Sequence, residues 1–234
     1  MNLSVRENCK FLIFTLIALA MSLQAGLASA LFFDFEDDAQ LKQWTFQGTW
    51  KTVKDDNTKS MVLSGEGANE ICALVGEAEW KDYTIECDAS GQTDEISIVF
   101  RATDPDNFLS FMIAPSLSLS EFFSKSKGQF DEGISAKGDS LGVKIQEWHK
   151  YKLVVQNDKA SIFVDGKEGI KALDLAKLNG FSKGKVGFRQ WADRAYYDNV
   201  LITGTGIPHS PGEPGAVSLS GKLAATWAAL KHKM

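Results

Sequence analysis

The chain is poor in the residues that build metal clusters and polar triads. Its 234 residues include only three cysteines and three histidines, too few for a zinc site built on four such ligands. No His-x-x-x-His pair and no glycine-rich phosphate loop occurs. The histidines are also badly placed for a Ser/His/Asp triad: His149 lies inside the strand-like "EWHKYKLVV", while His209 and His232 fall in a linker and a tail. Basic stretches are missing too. Twenty-five Lys and Arg stand against thirty Asp and Glu, a net charge of −5; the first thirty residues carry +1 and those after 203 carry +2, leaving 31–203 near −8. An acidic domain without a basic stripe is a poor partner for nucleic acid. Nor does any segment after residue 30 approach the ~20 apolar residues that span a bilayer.

The start of the chain stands apart. Arg6 and Lys10 precede "FLIFTLIALAMSL", and "GLASA" follows with small residues at Ala28 and Ala30. This is the pattern of a secretory signal cleaved after Ala30, with an apolar run too short for a membrane anchor. The sequence therefore predicts a signal peptide over 1–30 and a secreted or periplasmic domain. No cysteine stands at the cleavage site to take a lipid. Of the cysteines that remain, Cys72 and Cys87 admit two readings in an oxidising compartment. They could form a disulfide closing a loop of roughly fifteen residues, worth ~3 kcal/mol, or remain buried thiols at incompatible strand positions.

From 31 to 203 the dominant signal is alternation of period two in short runs rich in Val, Ile, Phe and Tyr, such as "DYTIECDAS", "ISIVFRA", "HKYKLVVQN" and "GKVGFRQ". About a dozen such runs separated by turn signals predict an all-β fold, a two-sheet antiparallel sandwich. Asp165-Gly166 predicts a type I′ hairpin turn, because glycine reaches positive φ without strain. Asn157-Asp158 and Asp104-Pro105-Asp106-Asn107 predict two more turns. Residues 172–181 read as a helical connector and 116–145 as a long rim loop holding one strand around Phe122 and Phe123. Trp44, Trp50, Trp80 and Trp148 read as core or rim packing. A Gly/Pro linker is expected over 204–217. In the short C-terminal helix expected over 218–234, Leu223, Trp227 and Leu230 share one face, behind Ser220 as N-cap. That stripe wants a surface, either its own domain or a protein partner.

Several pieces in order across 32–203, "FDFEDDAQLKQW", "WKDYTIECDAS", "VFRATDPDNFLSF", "EWHKYKLVVQNDKASIFVDGKE", "GKVGFRQW" and "YYDNVLI", resemble the concanavalin A-like lectin/glucanase superfamily in its laminin-G-like (LamG-like) jelly-roll branch. The chain is similar in the same regions to secreted bacterial 3-keto-disaccharide hydrolases. The resemblance implies two curved sheets with carbohydrate on the concave face or its rim. It carries fold better than function, since its motifs are mostly structural.

Strand parity then selects candidates. With Phe100 inward, Arg101 points out; with Val186 and Phe188 inward, Arg189 and Trp191 point out. Two guanidinium groups and an indole suit a sugar platform, the indole against a pyranose face and the guanidinium groups on hydroxyls. Surface ion pairs, for instance with Glu86 or Asp88, explain the arginines equally well.

The parity of Val200 and Ile202 points Asp198 inward, where a carboxylate needs hydrogen bonds or a cation. The resemblance implies one structural Ca²⁺ there, with Glu36 or Asp34 joining Asp198. Backbone N–H groups would serve Asp198 equally. The glucanase motif Glu-x-Asp-x-x-Glu is present only in part: "ECDASG" supplies Glu86 and Asp88 but ends in Gly91, so the acid/base of that mechanism is missing. Asp104, Glu121 and Asp131 remain as loop carboxylates that nothing in the sequence singles out.

The expectation is a secreted, non-catalytic carbohydrate-binding domain with a glycan as partner. The alternatives are a glycoside hydrolase of the 3-keto-disaccharide type and an extracellular protein-interaction domain docked through its C-terminal helix.

Overall fold

The computed structural model describes residues 30–208, residue 171 apart. The expected signal peptide and C-terminal helix lie outside the described residues. Sixteen strands follow one another: β1 (Ala30–Phe33), β2 (Trp44–Gln47), β3 (Trp50–Lys54), β4 (Met61–Glu66), β5 (Glu70–Val75), β6 (Tyr83–Gly91), β7 (Ile96–Asp104), β8 (Asn107–Ala114), β9 (Leu119–Ser126), β10 (Gln129–Lys137), β11 (His149–Gln156), β12 (Lys159–Val164), β13 (Lys167–Glu168), β14 (Leu173–Asp174), β15 (Lys185–Trp191) and β16 (Arg194–Gly204). They form two antiparallel sheets. The first runs β13-β12-β11-β6-β16-β4-β3, with β1 beside β16 and β14 beside β12; the second runs β10-β9-β8-β7-β15-β5-β2. The expected all-β sandwich is what forms.

Alternation decides which face is dry. In β6, Tyr83, Ile85, Cys87 and Ala89 are buried while Thr84, Glu86 and Asp88 are half-exposed. The outer row is paired across the sheet: Lys152 meets Glu86 at 3.0 Å and Lys150 meets Asp88 at 2.6 Å. In β15, Val186 and Phe188 enter the core. Phe188 stacks between Trp44 (ring centroids 5.6 Å apart) and Tyr197 (3.8 Å), bringing strands of both sheets together. Each fully buried ring of this kind contributes about 1.5–3 kcal/mol.

The turns follow local chemistry. Asn157 and Asp158 (φ 50 and 56), and Asp165 and Gly166 (φ 49 and 77), have the paired positive φ of type I′ hairpins. Strand β15 approaches β5 so closely that a Cβ on Gly187 would lie 1.8 Å from the Ala73 carbonyl oxygen.

Four expectations are corrected. Residues 129–137 are strand β10, paired with β9 on the sheet edge; an edge strand needs no continuous apolar pattern, so its polarity concealed it. Residues 172–181 contain β14 and a 3-10 turn at Leu175–Lys177 capped by Asp174, not a longer helical connector. The other two are parity errors. Arg101 has φ 52 where the pairing of β7 with β15 shifts by one residue, between Val99 and Ala102. Asn199 has φ 50 at a shift between Asp198 and Leu201. Each bulge inserts a residue and reverses the alternation. Arg101 is therefore fully buried instead of outward, and Asp198 is paired with the outward Asp88 instead of sharing the core face of Val200. Of the two readings of the cysteines, the buried thiols hold: both are free, Cys72 in β5 of one sheet and Cys87 in β6 of the other. Burial pushes the Cys72 thiol up to about 12 and Cys87 higher still.

Candidate functional site

The second sheet carries an apolar cluster on the face turned away from the core: Cys72, Leu74, Val99, Ala102, Phe108 and Phe123, with Met112 and Phe130 against them. Strand β15 lays Arg189 on this bed and Trp191 at its edge. The Arg189 guanidinium lies 5.2 Å from the Phe123 ring centre and 5.3 Å from those of Phe130 and Trp191. Arg189 is 3% exposed and Trp191 46%. Parity thus placed both correctly outside the core, but the rings around Arg189 remove it from water.

A buried cation needs compensation, and two carboxylates supply it. Arg189 Nε donates to Glu70 Oε1 at 2.8 Å and Nη1 to Glu95 Oε1 at 2.7 Å. Glu95 Oε1 also accepts from Ser97 Oγ at 2.9 Å. Lys125 continues the chain, bonded to the second oxygen of Glu70 and 2.9 Å from Asp106 Oδ1. Burial pushes the Glu95 carboxyl above its ordinary range, against the opposing pull of Arg189 and Ser97. For Lys125 burial works against the charge, but Glu70 and Asp106 outweigh it and hold the ammonium above its usual value. Glu95, Met112, Glu121, Phe123, Phe130, Arg189 and Trp191 enclose a cavity of about 110 Å³. It joins an exposed indole, a fixed guanidinium and two carboxylates over apolar walls, the composition that orients a polyhydroxy ligand.

The other sequence candidates lie elsewhere. Arg101 donates from Nη1 to the carbonyls of Phe181 (3.1 Å) and Ser182, and its own N–H donates to the Tyr83 hydroxyl at 2.9 Å. It holds the 181–184 connection to β7 and does not line the cavity. Asp198 Oδ1 accepts from the Asn199 N–H at 2.7 Å. Burial, with Asp88, Asp34 and Glu36 adding negative charge, pushes Asp198 up to about 7. Of the calcium ligands expected there, Asp34 accepts from Gln40 Nε2 and Glu36 from the Met61 N–H, and among the described residues no group of three His, Cys, Asp or Glu is placed to hold a metal ion. Of the loop carboxylates, Glu121 belongs to β9 and reaches the cavity, while Asp104 caps the β7–β8 turn and Asp131 is exposed.

Sequence reasoning missed Glu70, Glu95 and Lys125. Glu95 was within reach, since Glu95, Ser97 and Val99 share a face at alternate positions. Glu70 and Lys125 come from strands distant in sequence, 55 residues apart, and only the strand order reveals them.

A family model described as a 3-keto-alpha-glucoside-1,2-lyase-like domain matches residues 29–203. Among solved structures, carbohydrate-binding module CBM66 from Bacillus subtilis is 20% identical with a TM-score of 0.57, covering 69% of this chain and 96% of its own. A B. subtilis protein of unknown function with a galectin-like fold is 16% identical, TM-score 0.58, covering 75% and 96%. The Crh5 transglycosylase is 14% identical, TM-score 0.51, covering 78% and 86%. At these identities the likeness shows the fold alone, one found in both carbohydrate-binding modules and glycoside-processing enzymes. No curated protein matches the chain.

Proposed function

As the chain belongs to the 3-keto-alpha-glucoside-1,2-lyase-like domain family, we propose that the cavity beside Trp191 binds a carbohydrate. The observation that carries this reading is the half-exposed Trp191 indole beside a buried Arg189 fixed by two carboxylates. The indole offers a face to a pyranose ring. Arg189 and the carboxylates that hold it offer donors and acceptors to hydroxyl groups. Arg101 has no part in the site, because its guanidinium is fully buried against 181–182. Export belongs to the same proposal and rests on the small-residue-ended apolar start; N-terminal sequencing of protein recovered outside the cytoplasm tests it.

A second reading, that the site also turns over a 3-keto-α-glucoside, is favoured by one observation: Glu95 and Glu121, 8% and 7% exposed, line the same cavity as Arg189. A 1,2-elimination requires a base to take the proton from C2, beside the ketone, while the C1–O bond breaks with its electron pair onto the leaving oxygen, which is then protonated. Glu95 and Glu121 are the cavity groups able to take and give those protons, and Arg189 can stabilise the developing oxyanion.

The test is a glycan array with the purified protein, followed by incubation with p-nitrophenyl 3-keto-α-D-glucopyranoside. Binding that is lost in Trp191→Ala supports the first reading. Nitrophenol release that is lost in Glu121→Gln, with binding kept, supports the second. A blank array together with no binding of the keto-glucoside refutes both.

A further inference from the structure

One hydroxyl joins the two sheets directly beneath the cavity. Tyr197 belongs to β16 of the first sheet, yet its hydroxyl donates to the Ser97 carbonyl at 3.2 Å and accepts from the Ser97 N–H at 3.3 Å, in β7 of the second sheet. It also accepts from Gln190 Nε2 at 2.6 Å, in β15. Ser97 is the β7 residue placed opposite Arg189 on one side and Met112 on the other, and both of those line the cavity. The Ser97 side chain leaves the opposite face of the strand and donates to the Glu95 oxygen that Arg189 also holds.

We infer that Tyr197 is a positioning residue for the carbohydrate site, setting the Glu95–Arg189 pair from the core side through Ser97. The inference rests on the carbohydrate reading of the cavity. Its physical basis is that Tyr197 cannot drift: its ring is fully buried and stacked on Phe188 at 3.8 Å. A strand held at one residue by a fixed hydroxyl has little freedom to slide or twist there. The carboxylate that hangs from that residue inherits the constraint. Close-packed interiors transmit such displacements instead of absorbing them. Without the hydroxyl, the Ser97 main chain and the Gln190 amide lose a partner, and β7 and β15 relax at the point where Glu95 and Arg189 meet. Without the Ser97 bond the Glu95 carboxylate is no longer held in place and must be ordered again when a ligand binds, which weakens binding by up to about tenfold.

The experiment uses the full chain with Tyr197→Phe, Ser97→Ala and the double variant. Three readouts are needed: melting temperature, affinity for methyl 3-keto-α-D-glucopyranoside by calorimetry, and the Glu95 titration by carboxyl-carbon NMR. The groups acting on Glu95 are Arg189 and Ser97, which lower its midpoint, and burial and Asp193, which raise it. Loss of the Ser97 bond therefore moves the midpoint up. The expected result is that Tyr197→Phe and Ser97→Ala each weaken binding by up to about tenfold and raise the Glu95 midpoint, with no further change in the double variant. Tyr197→Phe also lowers the melting temperature, since it orphans buried groups on two strands, and Ser97→Ala lowers it through the single bond to Glu95. A purely structural role would leave affinity and the Glu95 midpoint unchanged below melting, and that result overturns the inference. If Tyr197→Phe does not fold, an unmoved Glu95 midpoint and affinity in Ser97→Ala overturn it instead. A wild type that binds no sugar sinks the carbohydrate reading, and the Glu95 titration still decides whether Tyr197 positions that carboxylate.

Discussion

Asp198 makes the stability of the fold fall between acid and neutral pH in a calculable way. Its carboxyl titrates at about 7 in the folded chain against an ordinary 3.8, first because it is buried and then because Asp88, Asp34 and Glu36 surround it with negative charge. The folded state therefore keeps a proton that the unfolded state has lost between about pH 4 and pH 7. Stability must fall as pH rises through that window and level off above it. A separation of about three pH units at 1.36 kcal/mol each makes the penalty about 4 kcal/mol above pH 7. Asp198→Asn removes the charge and keeps the shape, and its amide oxygen can still accept the Asn199 N–H that now reaches Oδ1 at 2.7 Å. Urea unfolding of wild type and variant at unit steps from pH 4 to pH 8 reads the difference. The two should agree near pH 4 and diverge until the variant is about 4 kcal/mol more stable at pH 8, roughly 8–16 °C in melting temperature for a domain of this size. Parallel profiles, or a variant less stable at pH 8, refute the reasoning. The ionised carboxylate would then be compensated in solution by a bound cation or a hydrogen-bond donor.

Three further outcomes follow from the same structure. Trp191→Ala should abolish glycan binding on the array while costing less than about 1 kcal/mol in urea unfolding, because the indole is half-exposed; equal losses of both would make it a packing residue. Gly187→Ala should cost about 3 kcal/mol or prevent folding, since its Cβ meets backbone 1.8 Å away, and a near-neutral change in melting temperature would mean β15 and β5 separate easily. Cys72 and Cys87 should react with Ellman's reagent only on unfolding, and dithiothreitol should leave the melting temperature unchanged; a drop on reduction would reveal a disulfide.

Much of the fold is legible in the sequence wherever alternation is unbroken. Val186, Phe188, Arg189 and Trp191 divide between the faces of β15 as period two dictates, and the hairpins at Asn157-Asp158 and Asp165-Gly166 form where their turn chemistry predicts. Reading fails at single residues in left-handed conformation. Asn tolerates that region, so Asn199 offered a faint warning; Arg101 offered none, and one inserted residue reversed every inference made from its parity. Strand β10 escaped because an edge strand has one pairing side and little apolar demand. The candidate site was half legible. Arg189 and Trp191 sit on a strand whose phase is clear, but what holds Arg189 depends on β5 and β7 flanking β15 and on β9 delivering Lys125 across the same face. Those neighbours are set by topology, which local pattern does not encode.

The charges on that face are difficult to explain by stability. Arg189, Glu95, Glu70 and Lys125 lie on or beside an apolar bed of Cys72, Leu74, Val99, Phe108 and Phe123. A sheet face of that kind would be satisfied by more apolar side chains. Desolvating two cations and their carboxylates costs several kcal/mol per ion, and their mutual attraction returns at best a comparable amount. A hydrophobic set of the same volume would be as stable or more so. What the ion chain provides instead is order: each carboxylate bridges two donors, Glu70 between Arg189 and Lys125, Glu95 between Arg189 and Ser97. Polar atoms fixed in this way before a ligand arrives need not be reorganised when it binds. Buried charge without a stability rationale, next to a half-exposed indole, is therefore the strongest physical reason to place the binding site on the second sheet and not on the first. The first sheet has one buried outward carboxylate, Asp198 beside Asp88, but its other outer charges are simple Lys–carboxylate rungs, Lys150–Asp88 and Lys152–Glu86, with Lys150 and both partners of the second rung still well exposed to water.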